Sequence, residues 1–330
     1  MHRPSAAYRQ VQAFHASGAV DRAVALLRDL VADEDADALF HMAMWRVSGA
    51  EIRRDLAQAR ELFRRAGEAG HDTGRLIHCY FLGSGTGGPA DPEAALAILQ
   101  QLAGTLPGGS QQTALIETMG PSYLDPAASL PESRTLDAGL PVTIRPSFLS
   151  RAEIAWLQAA TAARLAQSMI VDLHTGQLVP NPVRRSREAM FGVLQEDLVV
   201  SAINRRIAAA TETAVKNGEP LLVLHYTSGG EFRPHSDALG RVDNQRVATA
   251  LIYLNDDYGG GETDFPRLGV RVKGRPGDAL FFRNSDDAGE PLPDALHAGL
   301  PVSHGEKWLA TRWIRERPYV YPPPTPMVDV

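Results

Sequence analysis

The chain has 330 residues, 44% of them hydrophobic and 22% charged, with a formal net charge of −6, a composition that fits an ordinary globular protein with one large domain and a smaller one. Its lysines and arginines are scattered, which excludes the concentrated basic face that a phosphate backbone requires, so no nucleic-acid partner is expected. A single cysteine, Cys79, excludes an internal disulfide and thiolate zinc or iron–sulfur sites, and leaves histidine and carboxylate as the means of holding a metal.

The first residues, MHRPSAAYRQVQAFHASG, lack the apolar run of a secretory signal, and no window approaches the ~20 apolar residues that span a bilayer. A reducing, cytoplasmic setting with no membrane partner is the expectation. Residues 1–105 carry apolar positions at helical spacing and repeat with a period of 36: Ala23, Ala59 and Ala95 align, as do Leu27, Phe63 and Leu99. Trp45 falls over Phe81 and Gly49 over Gly85, so each unit reads as a helix, a glycine turn and a second helix. The Leu and aromatic positions can be buried only against the next unit, which makes stacking a condition of stability. The stretch RRDLAQARELFRRAGEAGH (53–71) resembles the Sel1-like variety of the tetratricopeptide repeat. That resemblance implies a helical packing module, a surface for a protein partner, or a means of dimerisation.

Residues 106–140 turn rich in Gly, Pro and Ser (LPGGS, GPSYLDPAASLPES), the composition of a linker or a loosely packed connection. A strand over LPVTIR then leads into a helix whose start is marked by Ser150 and Glu153, a Ser-x-x-Glu capping box, and a second helix is expected over EDLVVSAINRRIAAATE (196–212). Beyond Pro220 the pattern changes to short β runs, PLLVLHYT, VATALIYLN, GVRVKG, DALFFRN, LHAGLPV and KWLATRWIRE, separated by Gly- or Asp-rich turns. This is the signature of a small barrel or sandwich.

Within that region FRPHSDALG (232–240) sets His235 and Asp237 two apart, so on a strand both reach one face. A third ligand is offered by His297, in an apolar run that reads as a strand, or by His304, in the turn VSHGEK; His297 is favoured. Two imidazoles and one carboxylate with open positions suit non-haem Fe(II) and O2 better than catalytic zinc. Counting by twos along the last strand gives Lys307, Leu309, Thr311 and Trp313 on one inward face. A lysine buried there needs an anion, and a dicarboxylate cosubstrate would supply one.

At this point residues 141–318 resemble the prolyl 4-hydroxylase branch of the Fe(II)/2-oxoglutarate dioxygenases. The resemblance rests on HYTSGGEFRPHSD, LIYLND, GGGETDFP, VRVKGRPGDALFFRN and DALHAGLPVSHGEKWLATRWIRE, in that order, with the His-to-Lys spacing from His297 to Lys307. It implies a double-stranded β-helix of jelly-roll or cupin type with flanking helices (141–330), which with the helical repeat region (1–105) and the linker (106–140) makes an α+β multidomain chain. It implies Fe(II) held by His235, Asp237 and His297, with 2-oxoglutarate and O2 as cosubstrates and ascorbate as a reductant. Lys307, helped by Tyr253, would pair with the distal carboxylate; Tyr226 would bond the cosubstrate, with Thr263 and Thr311 at further pocket positions. The chain departs from the family at Phe232, where a tyrosine is common, and any substrate contact made by that hydroxyl is missing.

The segment GQLVPNPVRRSREAMFGV (176–193) resembles the flap that covers the substrate in prolyl hydroxylases, with Arg184 and Ser186 at its Arg-x-Ser positions; a solvated basic loop is the other reading. PYVYPPPTP near the C-terminus reads as a polyproline-type tail. Three functions stay open: hydroxylation of a prolyl or similar residue in a peptide or protein, hydroxylation of a free amino or imino acid such as proline or pipecolate, and an inactive repeat-based scaffold.

Overall fold

The computed structural model describes residues 5–106, 108–137, 139–171 and 177–321, and they divide into two compact units. The first comprises Met1–Gly120, Val193–Ser201 and Val320–Val330; the second comprises Pro121–Gly192 and Ala202–Tyr319. Pro322 to Pro326 of the polyproline-type stretch and Gly176 of the flap lie outside the described residues. Among the described residues no helix is long and apolar enough to cross a membrane.

The first unit is all-helical: α1 (Ala6–Ala16), α2 (Val20–Ala32), α3 (Ala36–Ser48), α4 (Leu56–Glu68), α5 (Asp72–Ser84), α6 (Pro92–Leu102) and α7 (Gly109–Met119). The period of 36 is visible in its helix starts, at Val20, Leu56 and Pro92 and again at Ala36 and Asp72. The stop and start signals repeat with it. Asp55 and Asp91 each accept the backbone N–H three residues on, at 2.9 Å, and so cap α4 and α6. Gly49 and Gly85 end α3 and α5 at φ +75° and +79°, the left-handed conformation that glycine adopts without a Cβ penalty. Each helix packs on the next, and Leu27, Leu39, Trp45, Phe63 and Phe81 form one buried core.

The described residues of the stretch 106–140 include α7 and, after two 3-10 turns, a strand of the main sheet. Its glycines and prolines bound these elements and do not prevent them. Gly108 takes φ +80° just before α7, and Pro121 follows the helix end at Gly120.

The second unit contains helices α8 (Arg151–Ala162) and the greater part of α9 (Leu198–Ala210). The Ser150–Glu153 capping box is formed in both directions, at 3.2 and 2.7 Å. In chain order its strands are β1 (Arg134–Asp137), β2 (Val142–Arg145), β3 (Ala166–Gln167), β4 (Met169–Val171), β5 (Leu178–Pro180) and β6 (Arg187–Met190). They continue with β7 (Leu222–Tyr226), β8 (Phe232–His235), β9 (Arg246–Tyr253), β10 (Gly259–Gly260) and β11 (Thr263–Phe265). The last are β12 (Val270–Val272), β13 (Ala279–Arg283), β14 (His297–Gly299), β15 (Val302–His304) and β16 (Lys307–Arg315).

Eight strands form the large sheet in the order β1-β2-β13-β9-β16-β7-β6-β3, and four form a smaller one in the order β12-β11-β14-β8; β10-β15 and β4-β5 are two-stranded. Every pair is antiparallel. The two larger sheets share one apolar core, in which Leu224, Leu251, Leu280 and Leu309 meet Phe265 and Val272. A helical region followed by this two-sheet domain is the α+β, double-stranded β-helix architecture expected. Two local readings change. His304 closes a short strand, because β15 pairs with β10, and the second half of the expected flap is β6, hydrogen-bonded to β7 inside the large sheet.

Candidate active site: a two-histidine, one-carboxylate centre

Antiparallel pairing of β8 with β14 sets His235 directly opposite His297, with ring centroids 4.3 Å apart. Asp237 follows two residues after His235, so its carboxylate turns to the same side. His235 Nε2 lies 3.7 Å from Asp237 Oδ1, and His297 Nε2 lies 3.6 Å from Asp237 Oδ2. These separations are too long for hydrogen bonds and suit donors that share one ion at about 2.1 Å each. Among the described residues this is the group of three able to hold a metal. His304 is exposed and bonds Ser303.

The imidazoles are prepared for the task. His235 Nδ1–H donates to the Arg233 carbonyl at 2.8 Å and His297 Nδ1–H to the Ala295 carbonyl at 3.0 Å. A carbonyl only accepts, so the proton is held at Nδ1 and the Nε2 lone pair points to the shared centre. Burial, joined by the neighbouring His297, lowers His235 to about 4 against the pull of Asp237. Burial alone would raise Asp237, but His297, His235, the Thr249 hydrogen bond and Arg246 together hold its carboxyl below the ordinary range. A neutral ring and an ionised carboxylate at neutral pH are the forms that bind a divalent cation.

The centre opens into a recess lined by both sheets. From β16, Lys307, Leu309, Thr311 and Trp313 all face it, as period-two alternation predicts. The Lys307 side chain is 3% exposed; its ammonium donates to the Gly261 carbonyl at 2.7 Å and has no ion pair among the described residues. Burial lowers it to about 8. The Thr311 hydroxyl, also buried, has no partner among the described residues. The Tyr226 and Tyr253 rings stand 5.6 and 5.9 Å from the Lys307 nitrogen.

The other expected residues fall around the same recess. The Tyr226 hydroxyl is pushed up to about 12 by burial and bonds Ser186. Ser186 in turn meets Ser168 at 2.8 Å, and Ser168 donates to Glu188 at 3.1 Å. Tyr253 reaches the recess through Thr263: its hydroxyl donates to Thr263 Oγ1 at 2.9 Å, which leaves the Thr263 proton free to face the cavity. Arg184 pairs with Glu188 and sits 5.3 Å over the Phe232 ring, which itself stacks on His235 with centroids 3.4 Å apart. Arg184 is buried and so is not part of a solvated loop, whereas Arg185 is exposed. Thr249 and Asn284 escaped the sequence reading: Thr249 donates to Asp237 Oδ2 at 2.7 Å and accepts from Asn284 Nδ2 at 2.8 Å. The signal was present, since Thr249 shares the inward alternation Thr249, Leu251, Tyr253 of VATALIYLN and is its one aliphatic hydroxyl.

Two imidazoles and a carboxylate on a β-sandwich, with open space beside them, define the class of non-haem Fe(II) oxygenases, and this donor set fits that ion. The comparisons with known proteins agree. The family model of the 2OG-Fe(II) oxygenase superfamily matches residues 221–315. Prolyl 4-hydroxylase 1 of Arabidopsis thaliana is 36% identical over 189 residues, covering 52% of this chain and 67% of that protein. Probable prolyl 4-hydroxylase 6 of the same plant is 36% identical over 197 residues, covering 52% and 68%. The chain belongs to the Fe(II)/2-oxoglutarate oxygenase family and is an Fe(II)- and 2-oxoglutarate-dependent dioxygenase. Among solved structures, viral collagen prolyl hydroxylase vCPH of Paramecium Bursaria Chlorella virus-1, as its 2OG complex, aligns with a TM-score of 0.43 at 30% identity, covering 53% of this chain and 95% of that chain.

Proposed function

We propose that this dioxygenase hydroxylates a prolyl or similar residue within a peptide or protein, as a prolyl 4-hydroxylase-like member of its family. The observation that carries this reading is the charge inventory of the recess. Lys307 is the one lysine or arginine among its described lining residues, and Phe232, Leu251, Ala298, Gly299 and Trp313 are among the uncharged ones. Arg184, which lies over Phe232, is already paired with Glu188. A free amino or imino acid brings a carboxylate that would need its own cation, whereas a residue inside a peptide brings neutral amides. The named relatives, prolyl 4-hydroxylases at 36% identity, support the same substrate class.

In this reading His235, Asp237 and His297 hold Fe(II). Lys307 and the Thr311 hydroxyl receive the distal carboxylate of 2-oxoglutarate, which gives the buried ammonium a counter-charge and the hydroxyl a partner that the described residues do not supply. Tyr226 and Thr263 offer hydroxyls to the cosubstrate; Tyr253 orients Thr263, and Ser186 orients Tyr226. Arg184 supports Phe232 on the substrate side of His235. When bound, Fe(II) with 2-oxoglutarate and O2 supplies the oxidation, in which the keto acid is converted to succinate and CO2 and one oxygen atom enters the substrate C–H bond, with ascorbate as reductant. The apolar walls, Leu224, Leu309 and Phe232, keep water from that centre. The first unit, a helical array with a 36-residue period, acts as a Sel1-like docking or dimerisation module, and the setting is cytoplasmic.

The test is mass spectrometry after incubation with Fe(II), 2-oxoglutarate, and either proline-containing peptides or free proline and pipecolate. Gain of one oxygen on a peptide is expected. Gain on the free acids alone would transfer the protein to the metabolic alternative, and no succinate in any arm would make it a scaffold.

A further inference from the structure

Asp237 does not stand alone behind the metal centre. Its Oδ2 accepts the Thr249 hydroxyl at 2.7 Å, and Thr249 Oγ1 accepts from the Asn284 amide at 2.8 Å. Thr249 and Asn284 are each 0% exposed, and Asp237 is 4% exposed. The direction of this chain is forced. A carboxylate only accepts, the hydroxyl owns a single proton, and that proton therefore goes to Asp237; the Thr249 oxygen must then receive its second bond from a donor, which the Asn284 NH2 supplies. The Asn284 side-chain oxygen Oδ1 has no partner among the described residues, so the amide shows Thr249 its donor end while its acceptor end remains unused. A buried amide acceptor left bare carries a desolvation cost, which the orientation toward Thr249 imposes.

Both supports are built into strands. Thr249 lies on β9 opposite Phe282 of β13 and Trp313 of β16, and Asn284 follows the end of β13. The Asn284 backbone is pinned on both sides, its N–H donating to the Val247 carbonyl and its carbonyl accepting from Leu292. Neither residue lines the recess, so neither meets substrate or cosubstrate directly.

We propose that Thr249 and Asn284 are positioning residues for the metal: the directed chain Asn284→Thr249→Asp237 fixes the carboxylate plane and occupies a lone pair of Oδ2, so that Asp237 presents Oδ1 as a single-oxygen ligand beside His235. A carboxylate held in this way would bind a divalent ion through one oxygen and would leave room at the centre for the cosubstrates. The proposal rests on Asp237 being a ligand, which the experiment checks in its own arm.

The test measures Co(II) affinity and the visible Co(II) spectrum of the full chain, alongside the melting temperature of the metal-free protein. Thr249→Val keeps shape and removes the hydroxyl; Thr249→Ser restores it; Asn284→Asp keeps shape and turns the donor into an acceptor that competes for the Thr249 proton. Thr249→Val and Asn284→Asp are expected to weaken Co(II) binding about 10- to 100-fold and to alter the spectrum, as loss of a ligand's hydrogen-bonded support does. Thr249→Ser should return affinity to within about threefold of wild type, the span expected when the same hydrogen bond is remade. Should Thr249→Val fail to fold, the Ser and Asp variants carry the comparison. Wild-type Co(II) affinity and spectrum in both Thr249→Val and Asn284→Asp would overturn the proposal, as would an equal loss in Thr249→Ser. Asp237→Ala separates the premises: if it binds Co(II) like wild type, the ligand assignment itself is wrong, and if it loses binding while the Thr249 and Asn284 variants do not, only the positioning role fails.

Discussion

The Lys307 ammonium donates to the Gly261 carbonyl at 2.7 Å, inside a core where the side chain is 3% exposed. One hydrogen bond does not compensate for the burial of a charge, and burial accordingly lowers the group to about 8 from an ordinary value of 10.5. The native state thus binds fewer protons than the unfolded chain between about pH 8 and 10.5, and stability gains with rising pH across that window. Below pH 8 the whole cost of the buried charge is present. Lys307→Met is therefore expected to be more stable than wild type at pH 7, by an amount on the order of 3 kcal/mol, with the difference vanishing by about pH 10.5. Urea unfolding of both proteins at pH 7, 9 and 10.5 checks the sign.

The same substitution should abolish the benefit of the cosubstrate. In wild type, 2-oxoglutarate with metal raises the melting temperature by mass action, and that rise should disappear in Lys307→Met. A calorimetric or dye-based melting series with and without 2-oxoglutarate measures it. A Lys307→Met protein that remained fully responsive to 2-oxoglutarate would remove Lys307 from the cosubstrate's binding partners.

Asp237→Ala leaves two histidines without the carboxylate between them. Succinate formation from 2-oxoglutarate should fall to background and the apo melting temperature should cease to respond to added Fe(II) under anaerobic conditions. Retained turnover would refute the three-residue centre.

Arg312, on the opposite face of β16 from the recess, donates to the backbone carbonyls of Glu219, Asn204 and Val215 at 2.9 to 3.1 Å and is 4% exposed. Arg312→Met should destabilise the domain by about 3 kcal/mol or more, since several buried acceptors lose their donors at about 1–3 kcal/mol each. Co(II) affinity of the folded fraction should stay unchanged. Chemical denaturation and metal titration of the variant separate the two outcomes.

In the helical unit, Asp55→Ala and Asp91→Ala each remove an N-cap, at about 1 kcal/mol apiece. Circular dichroism melting of the single and double variants should show near-additive losses, because the caps stand one full repeat apart and share no partner. A loss confined to one of them would mean that the two helices are held by different forces.

Much of this protein is written along the chain because its signals are local. The capping box of Ser150 and Glu153 needs only three residues of spacing, the 36-residue period needs only a comparison of the chain with itself, and the inward face of β16 follows from alternation. The ligand trio was legible for a related reason: His235 and Asp237 share a face at period two, and His297 lies in an apolar strand with a lysine ten residues on. Composition shows element ends more plainly than the elements between them: the Gly- and Pro-rich residues 106–140 carry α7 and β1, which their turn residues bound.

What the residue order determined, then, was the helical array, the β-rich domain and the identities of the three metal-binding side chains, since each is encoded by periodicity or by neighbours in sequence. The tertiary structure alone decided that His235 and His297 are cross-strand partners, that Arg184 is spent on Glu188, and that Asn284, 35 residues from Thr249, orients the hydroxyl that holds Asp237. Strand register and the direction of a hydrogen bond are set by closure of the sheets, and no local pattern of residues contains that information.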